Sequence, residues 1–185
     1  MATNDLTDAQ IVARVLKGDQ VPYGLLVERH QPAVFNAAYR LLGHIEEAAD
    51  ITQEAFLRAY QALDSYQTNR PLAPWLCRIA INLALNWLKR RRPALSLDEE
   101  TGYDPPDSSA EPQAVLLHAE QQQMLRRAIL ALPPDQRAVI ELRHFQEMNY
   151  EEIAQALNIS IGMVKTRLFR ARRLLRDRLA PILRS

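Results

Sequence analysis

Cysteine is all but missing: the 185 residues contain one, Cys77. A single thiol closes no intramolecular disulfide, which fits a reducing compartment. With Leu76 and Ile79 beside it, Cys77 reads as a small buried residue rather than a reactive thiol. Glycine is scarce, at 5 residues, and no stretch sustains the β-branched alternation of a strand. Helical periodicity dominates instead, so an all-α chain is expected. No apolar run approaches a membrane span. The opening MATNDLTDAQ has neither the basic nor the apolar segment of a signal peptide. These absences predict a soluble cytoplasmic protein with no direct membrane insertion. His30, His44 and His118 are scattered. Glu141 and His144 have the Glu-x-x-His spacing of a carboxylate-bridged di-iron bundle, but no second copy occurs. No metal and no cofactor is expected. Without a nucleophile–base pair or a phosphate loop, neither is an enzyme.

What the chain does have is charge, unevenly placed. The formal net charge of +1 conceals a basic C-terminal helix and an acidic middle. The stretch Tyr150 to Arg178 reads as two helices joined by a tight turn. Asn149 can cap the first, with Glu152 reaching back in a capping box, and Ile153, Ala154 and Leu157 form its apolar face. Asn158 tolerates the left-handed conformation of a helix stop. Ser160 then caps a second helix that buries Val164, Leu168, Ala171 and Leu175. Its other positions include Lys165, Thr166, Arg167, Phe169, Arg170, Arg172, Arg173, Arg176 and Arg178, with Asp177 the one acid. A helix-turn-helix lays such a second helix in the major groove, its N-terminal residues towards base edges and the rest near phosphates. A merely solvated helix would mix signs at spacings of four. The near-uniform cationic face therefore favours DNA.

The remainder is a series of amphipathic segments. Thr7 or Asp8 can cap a helix with Ile11, Val12, Val15 and Leu16 inward, stopped by Gly18. Pro22 opens a second helix running to Gly43, which Pro32 should kink or interrupt. A third spans about Ile45 to Leu63, with Ile51, Ala55, Leu63 and either Leu57 or Phe56 buried, and a polar face of Asp50, Gln53, Glu54 and Arg58. The stretch Asp64 to Pro74 reads as a loop. A fourth helix, APWLCRIAINLALNWLKRRR, carries Arg78, Asn82, Asn86 and Lys89 on one face and ends in Lys89, Arg90, Arg91 and Arg92. Two asparagines and a cationic tip beside a tryptophan suit unstacked bases and their backbone, although basic residues also simply complement a helix dipole. From Pro93 to Gln113 prolines, serines and six acids occur without a basic residue, as in a flexible linker. Beyond Ala114, Leu116, Leu117, Met124, Leu125, Ile129 and Leu132 mark one helix. Pro133-Pro134 ends it, and Asp135 opens another with Ala138, Val139, Leu142 and Phe145 inward. The expected organisation is two small helical domains, 1–92 and 114–185, joined by the acidic linker 93–113.

In this order the segments resemble a known family. AADITQEAFLRAYQAL (Ala48 to Leu63), PWLCRIAINLALNWLKRRR (Pro74 to Arg92) and Leu132 to Asp177 look like regions 2.2, 2.3–2.4 and 4 of bacterial RNA polymerase sigma factors of the extracytoplasmic-function group. LTDAQIVARVLKGDQ looks like the start of its envelope-stress subgroup. The resemblance implies a promoter-specificity subunit of a stress or envelope response, with core polymerase (β′ clamp helices and β subunit) and promoter DNA as partners. It also implies an anti-sigma factor, commonly membrane-anchored. Asp50, Gln53, Glu54 and Leu57 would dock on the clamp helices. Trp75, Asn82 and Asn86 would hold melted bases of the -10 element, with Arg78, Lys89, Arg90 and Arg91 on the adjoining backbone. Lys165, Thr166, Phe169 and Arg170 would enter the -35 element, with Arg167, Arg172 and Arg173 on phosphates. Met163 stands where the family usually has Thr, Ile81 where many members carry Arg, and Cys77 where many carry an aromatic residue. The rival readings are a dimeric helix-turn-helix regulator, which leaves Ala48 to Arg92 without a task, and a helical metalloprotein, which lacks its second ligand motif.

Overall fold

A computed structural model describes residues 6–91 and 112–180, with side chains from residue 121 onwards in the second stretch. Arg92, the acidic residues of the expected linker and the side chains of Leu116 and Leu117 lie outside the described part. Eight α-helices and no strand occur among the described residues.

Four helices form the first unit: α1 (Asp8–Leu16), α2 (Tyr23–Leu42), α3 (Ile45–Gln61) and α4 (Leu72–Arg91). Local chemistry sets their ends. Thr7 caps α1 in a capping box: the Gln10 amide donates to the Thr7 hydroxyl at 3.3 Å and the Thr7 amide to the Gln10 side chain at 2.8 Å. Ile11, Val12 and Val15 are buried, but Leu16, expected inward, is 53% exposed; as the last residue of a two-turn helix it falls past the contact with α2. Asp8 pins α1 to α2 through Arg29 at 3.2 Å and His30 at 2.7 Å. α2 runs through Pro32 without interruption and stops at Gly43, whose φ of +79° a side chain would strain. In α3, Phe56 takes the buried position and Leu57 stands out at 54% exposed. Leu63 belongs to a short 3-10 turn, Leu63–Ser65, that follows α3. α2, α3 and α4 pack on one another and supply most of this core, with Cys77 fully buried inside it.

The second unit is α5 (Pro112–Leu130), α6 (Pro134–Ile140), α7 (Tyr150–Leu157) and α8 (Ile161–Leu179). α5 opens two residues inside the stretch expected as linker. Met124 and Leu125, expected inward, are exposed, whereas Ala128, Ile129 and Leu132 are buried. Pro134 occupies the first turn of α6, where its missing N–H is harmless. α6 continues into a π turn, Glu141–Phe145, closed by the Gln146 amide donating to Glu141 O at 3.1 Å. Asn149 caps α7 with the expected Glu152 box (2.8 and 2.9 Å), Asn158 ends it at φ 52°, and Ser160 caps α8 through the Met163 amide at 3.2 Å. Val164, Leu168 and Ala171 are buried and Leu175 half-buried.

The two units share one apolar cluster, running from Ile11 to Ala171. α5 and α6 lie against α2, and α6 against α4.

Candidate nucleic-acid interface

Three surfaces carry the residues expected from sequence. On α3, burial of Ala48, Ile51, Thr52, Ala55, Phe56 and Ala59 leaves the opposite face to solvent. Asp50, Gln53 and Leu57 are exposed there, and Glu54 holds Arg58 one turn on at 2.7 Å. An apolar leucine ringed by acid and amide groups offers a partner both an apolar and a polar contact.

On α4, Trp75, Arg78, Asn82, Asn86 and Lys89 recur at steps of three and four, which places them in one stripe. Trp75 is half-buried, its ring 5.3 Å from that of Tyr66. Arg78, Asn86, Lys89, Arg90 and Arg91 are exposed. Arg91 also lies over the Trp87 ring at 4.5 Å and 3.5 Å from Glu47. Aromatic, amide and cationic groups in a row can stack a base, read its edge and neutralise its phosphate. Asn82 differs from its neighbours. Its side-chain amide donates to Ala156 O, at the end of α7, at 3.0 Å.

On α8, Lys165, Thr166, Phe169, Arg170, Arg172 and Arg173 are exposed. The Thr166 hydroxyl donates to Gly162 O at 2.9 Å. An open groove of about 670 Å³ runs beside the start of the helix, lined by Met163, Thr166, Arg167 and Arg170 on one side and by Pro133, Asp135 and Gln136 on the other. Arg167 turns into the protein and pairs with Asp135 across the groove at 3.0 Å. Arg172 reaches His144 at 3.4 Å, and burial followed by the charges of Arg172 and Arg143 lowers the His144 pKa.

Sequence reasoning passed over the contact between the two units. Arg40 on α2 meets Glu141 in a bidentate pair, 2.6 Å from Nε to Oε2 and 2.8 Å from Nη2 to Oε1. Glu141 is 1% exposed and receives a third hydrogen bond from Gln146 at 3.1 Å. The Arg40 guanidinium also lies 4.0 Å over the ring of Phe145. Phe145, expected in the core, is therefore at the surface beneath an arginine. Nearby, Arg137 donates to Leu41 O and, at 3.0 Å, to Leu132 O; burial draws its pKa down to about 10, which leaves it charged at neutral pH. Glu141, the acid of the Glu-x-x-His spacing, commits both oxygens to this contact. Among the described residues no three His, Cys, Asp or Glu side chains gather as a metal site, and no helix is long and apolar enough to cross a membrane.

Both units resemble known proteins. The family model of Sigma-70 region 2 matches residues 26–93, and that of Sigma-70, region 4, matches residues 122–175. The ECF RNA polymerase sigma-E factor of Escherichia coli (strain K12) is 37% identical over 190 residues, 98% of this chain and 99% of its own. The ECF RNA polymerase sigma factor SigW of Bacillus subtilis (strain 168) is 36% identical over 179 residues, 92% of this chain and 96% of its own. Among solved structures, CnrH in complex with the cytosolic domain of CnrY superposes with a TM-score of 0.61 at 27% identity, covering 94% of this chain and 97% of that one. The sigma factor RpoE in complex with the anti-sigma factor NepR from Bartonella quintana has the same fold, with a TM-score of 0.66 at 24% identity over 85% of this chain and 96% of that one.

Proposed function

The chain belongs to the extracytoplasmic-function (ECF) sigma factors of RNA polymerase, and on that premise we propose that α3 docks on the polymerase, α4 takes the melted -10 strand and α8 reads the -35 duplex. It is a transcription initiation factor of a stress or envelope response. It binds core polymerase, directs it to promoters and acts where the polymerase is, in the cytoplasm. Anti-sigma factors of the kind seen with its structural relatives are partners. The chain itself performs no catalysis in this reading. Its work is binding, divided between residues 1–92 and 114–185 with the acidic stretch 93–113 between them.

The observation that carries the assignment is the pairing of two differently equipped helices on one chain. α4 presents Trp75, Asn82 and Asn86 leading to the cationic tip Lys89, Arg90 and Arg91, a combination suited to unstacked bases. α8 presents Lys165, Thr166, Phe169 and Arg170 at its open N-terminal half, suited to base edges in a major groove, with Arg172 and Arg173 placed for phosphates. Linking two modest contacts through one polymerase raises avidity without new contacts. Each captured base adds roughly 1–3 kcal/mol against the cost of unstacking.

Run-off transcription with core polymerase on a library of promoter fragments tests this. Starts that appear only with the protein deliver its promoter sequence. On such a promoter, Asn82→Ala should reduce permanganate reactivity of the -10 region while leaving polymerase binding intact. A footprint of the protein alone on duplex DNA, without stimulated transcription, would favour a dimeric regulator instead.

A further inference from the structure

The two flanks of α8 are not alike. On one, Arg167 is answered by Asp135 at 3.0 Å. On the other, Lys165, Arg172 and Arg176 recur at steps of seven and four, which sets them in one exposed row. Arg176 lies 3.6 Å from its neighbour Asp177, but among the described residues no carboxylate pairs with Arg172. Its partner is another basic side chain, His144, which stands on the π turn outside the recognition helix. The ring Nε2 lies 3.4 Å from the Arg172 guanidinium. We propose that His144 and Arg172 together hold one backbone phosphate of the -35 duplex, His144 taking up a proton as it does so, so that promoter binding tightens as pH falls. The inference rests on the placement of α8 at the -35 element.

A guanidinium has donors only. The contact therefore requires a neutral His144 with a bare Nε2, and it spends an Arg172 donor on a weak acceptor. The charges that act on the ring are of one sign. Arg172 faces it from α8 and Arg143 stands beside it, and after burial these two are what lowers its pKa. Arg143 is held in place: it donates to Met148 O at 2.8 Å and lies 5.6 Å over the ring of Tyr150 on α7. Glu141, three residues back in the same turn, commits both oxygens to Arg40 of α2 and to Gln146. From α6, Asp135 is taken by Arg167, and Arg137 turns to backbone carbonyls. No acid is left to answer this corner.

A phosphate supplies what the corner lacks. Placed between the two side chains, it accepts from the guanidinium. It also accepts from Nε2 once the ring has taken a proton from water, which turns that nitrogen from acceptor to donor. The cations that oppose protonation in the free chain are then offset by an anion on the same side. Binding thus raises the proton affinity of His144, and by linkage a lower pH strengthens binding. Between the free and the bound pKa the affinity changes by at most about tenfold per pH unit. Arg172 alone gives no such dependence, because its guanidinium stays charged throughout.

The test uses holoenzyme assembled with the full chain and a labelled duplex carrying the -35 sequence mapped by run-off, with affinity read by fluorescence anisotropy. From pH 8 to pH 6 the wild type should gain about fivefold in affinity relative to His144→Gln, whose amide donates at either pH but takes up no proton. The pH dependence of the polymerase itself is common to both and cancels. Arg172→Gln should bind more weakly at both pH values and lose most of the gain. Duplexes with one phosphate at a time replaced by neutral methylphosphonate identify the ligand: one position should abolish the difference between wild type and His144→Gln. Parallel pH profiles for these two proteins overturn the inference. So does a gain that survives every methylphosphonate, which would put the ring on a base edge. Scrambling the -35 sequence separates this proposal from the assignment beneath it. If wild-type affinity is then unchanged, the placement of α8 falls and the inference with it. If scrambling weakens binding but the pH profiles stay parallel, only the role of His144 falls.

Discussion

Cys77 shows how one buried atom sets a pH limit. Its side chain is fully buried in the α2–α3–α4 core, and burial, followed by the nearby Glu141 carboxylate and partly offset by Arg40, pushes the thiol up to about 12. A folded-state value above the unfolded one means the contribution is complete below the unfolded value near 9 and is lost as pH climbs towards 12. Tyr23, donating to Phe56 O at 2.6 Å, is held at about 12 by burial and then by Tyr60, and joins above pH 10. We predict that stability against urea falls from about pH 9 upwards, by at most about 1.4 kcal/mol per pH unit for each group. The Tyr23 share should be smaller, because its ring is only half-buried. Cys77→Ala should lower stability at pH 7 through the cavity it leaves, yet flatten the alkaline slope; an unchanged slope would count against the thiol. Met163 raises a different question. It is 45% exposed at the N-terminal turn of α8, where the family resemblance expects a threonine able to bond a phosphate. Met163→Thr should tighten holoenzyme binding to a -35 fragment by about 1 kcal/mol, roughly fivefold, the worth of one such hydrogen bond. Equal affinity would exclude position 163 from the phosphate path.

At the scale of elements, helix ends were legible and helix phase was not always so. The Asn149 and Ser160 caps and the left-handed Asn158 were readable, and the first cap was narrowed to Thr7 or Asp8, because each depends on a side chain within three residues of the backbone it serves. Asn149→Ala removes one half of a reciprocal pair and should cost region 4 about 1 kcal/mol by denaturant titration; no loss would mean that water caps α7 equally well. The π turn Glu141–Phe145 had no such signal. Its extra residue shifts the helix by about 100°, which brings Phe145 out to the surface beneath Arg40 and keeps Leu142 in the core. A reading at 3.6 residues per turn puts both inside. Pro32 is the opposite case. Its effect on α2 could not be decided from the residue alone, and the helix continues because packing against α3 and α4 outweighs one missing backbone bond.

For the molecule as a whole, composition and periodicity were enough for two helical units and for the surfaces on α3, α4 and α8, because each surface is a local pattern on one helix. The seam between the units was not. Arg40 and Glu141 are 101 residues apart, and neither carries a mark in the sequence that names the other. The shared core predicts cooperative behaviour. Calorimetry of the full chain should show one unfolding transition, and Arg40→Gln should resolve it into two; two transitions in wild type would mean that the units melt independently. The packing is also lopsided. It covers Asn82 on α4 but leaves Lys165, Thr166, Phe169 and Arg170 of α8 in solvent. The duplex-facing residues are thus all open, whereas the central amide of the α4 stripe is already engaged. In the proposed assignment that asymmetry imposes a chronology: contact at -35 is available from the outset, whereas Asn82 reaches an unpaired base only after giving up Ala156.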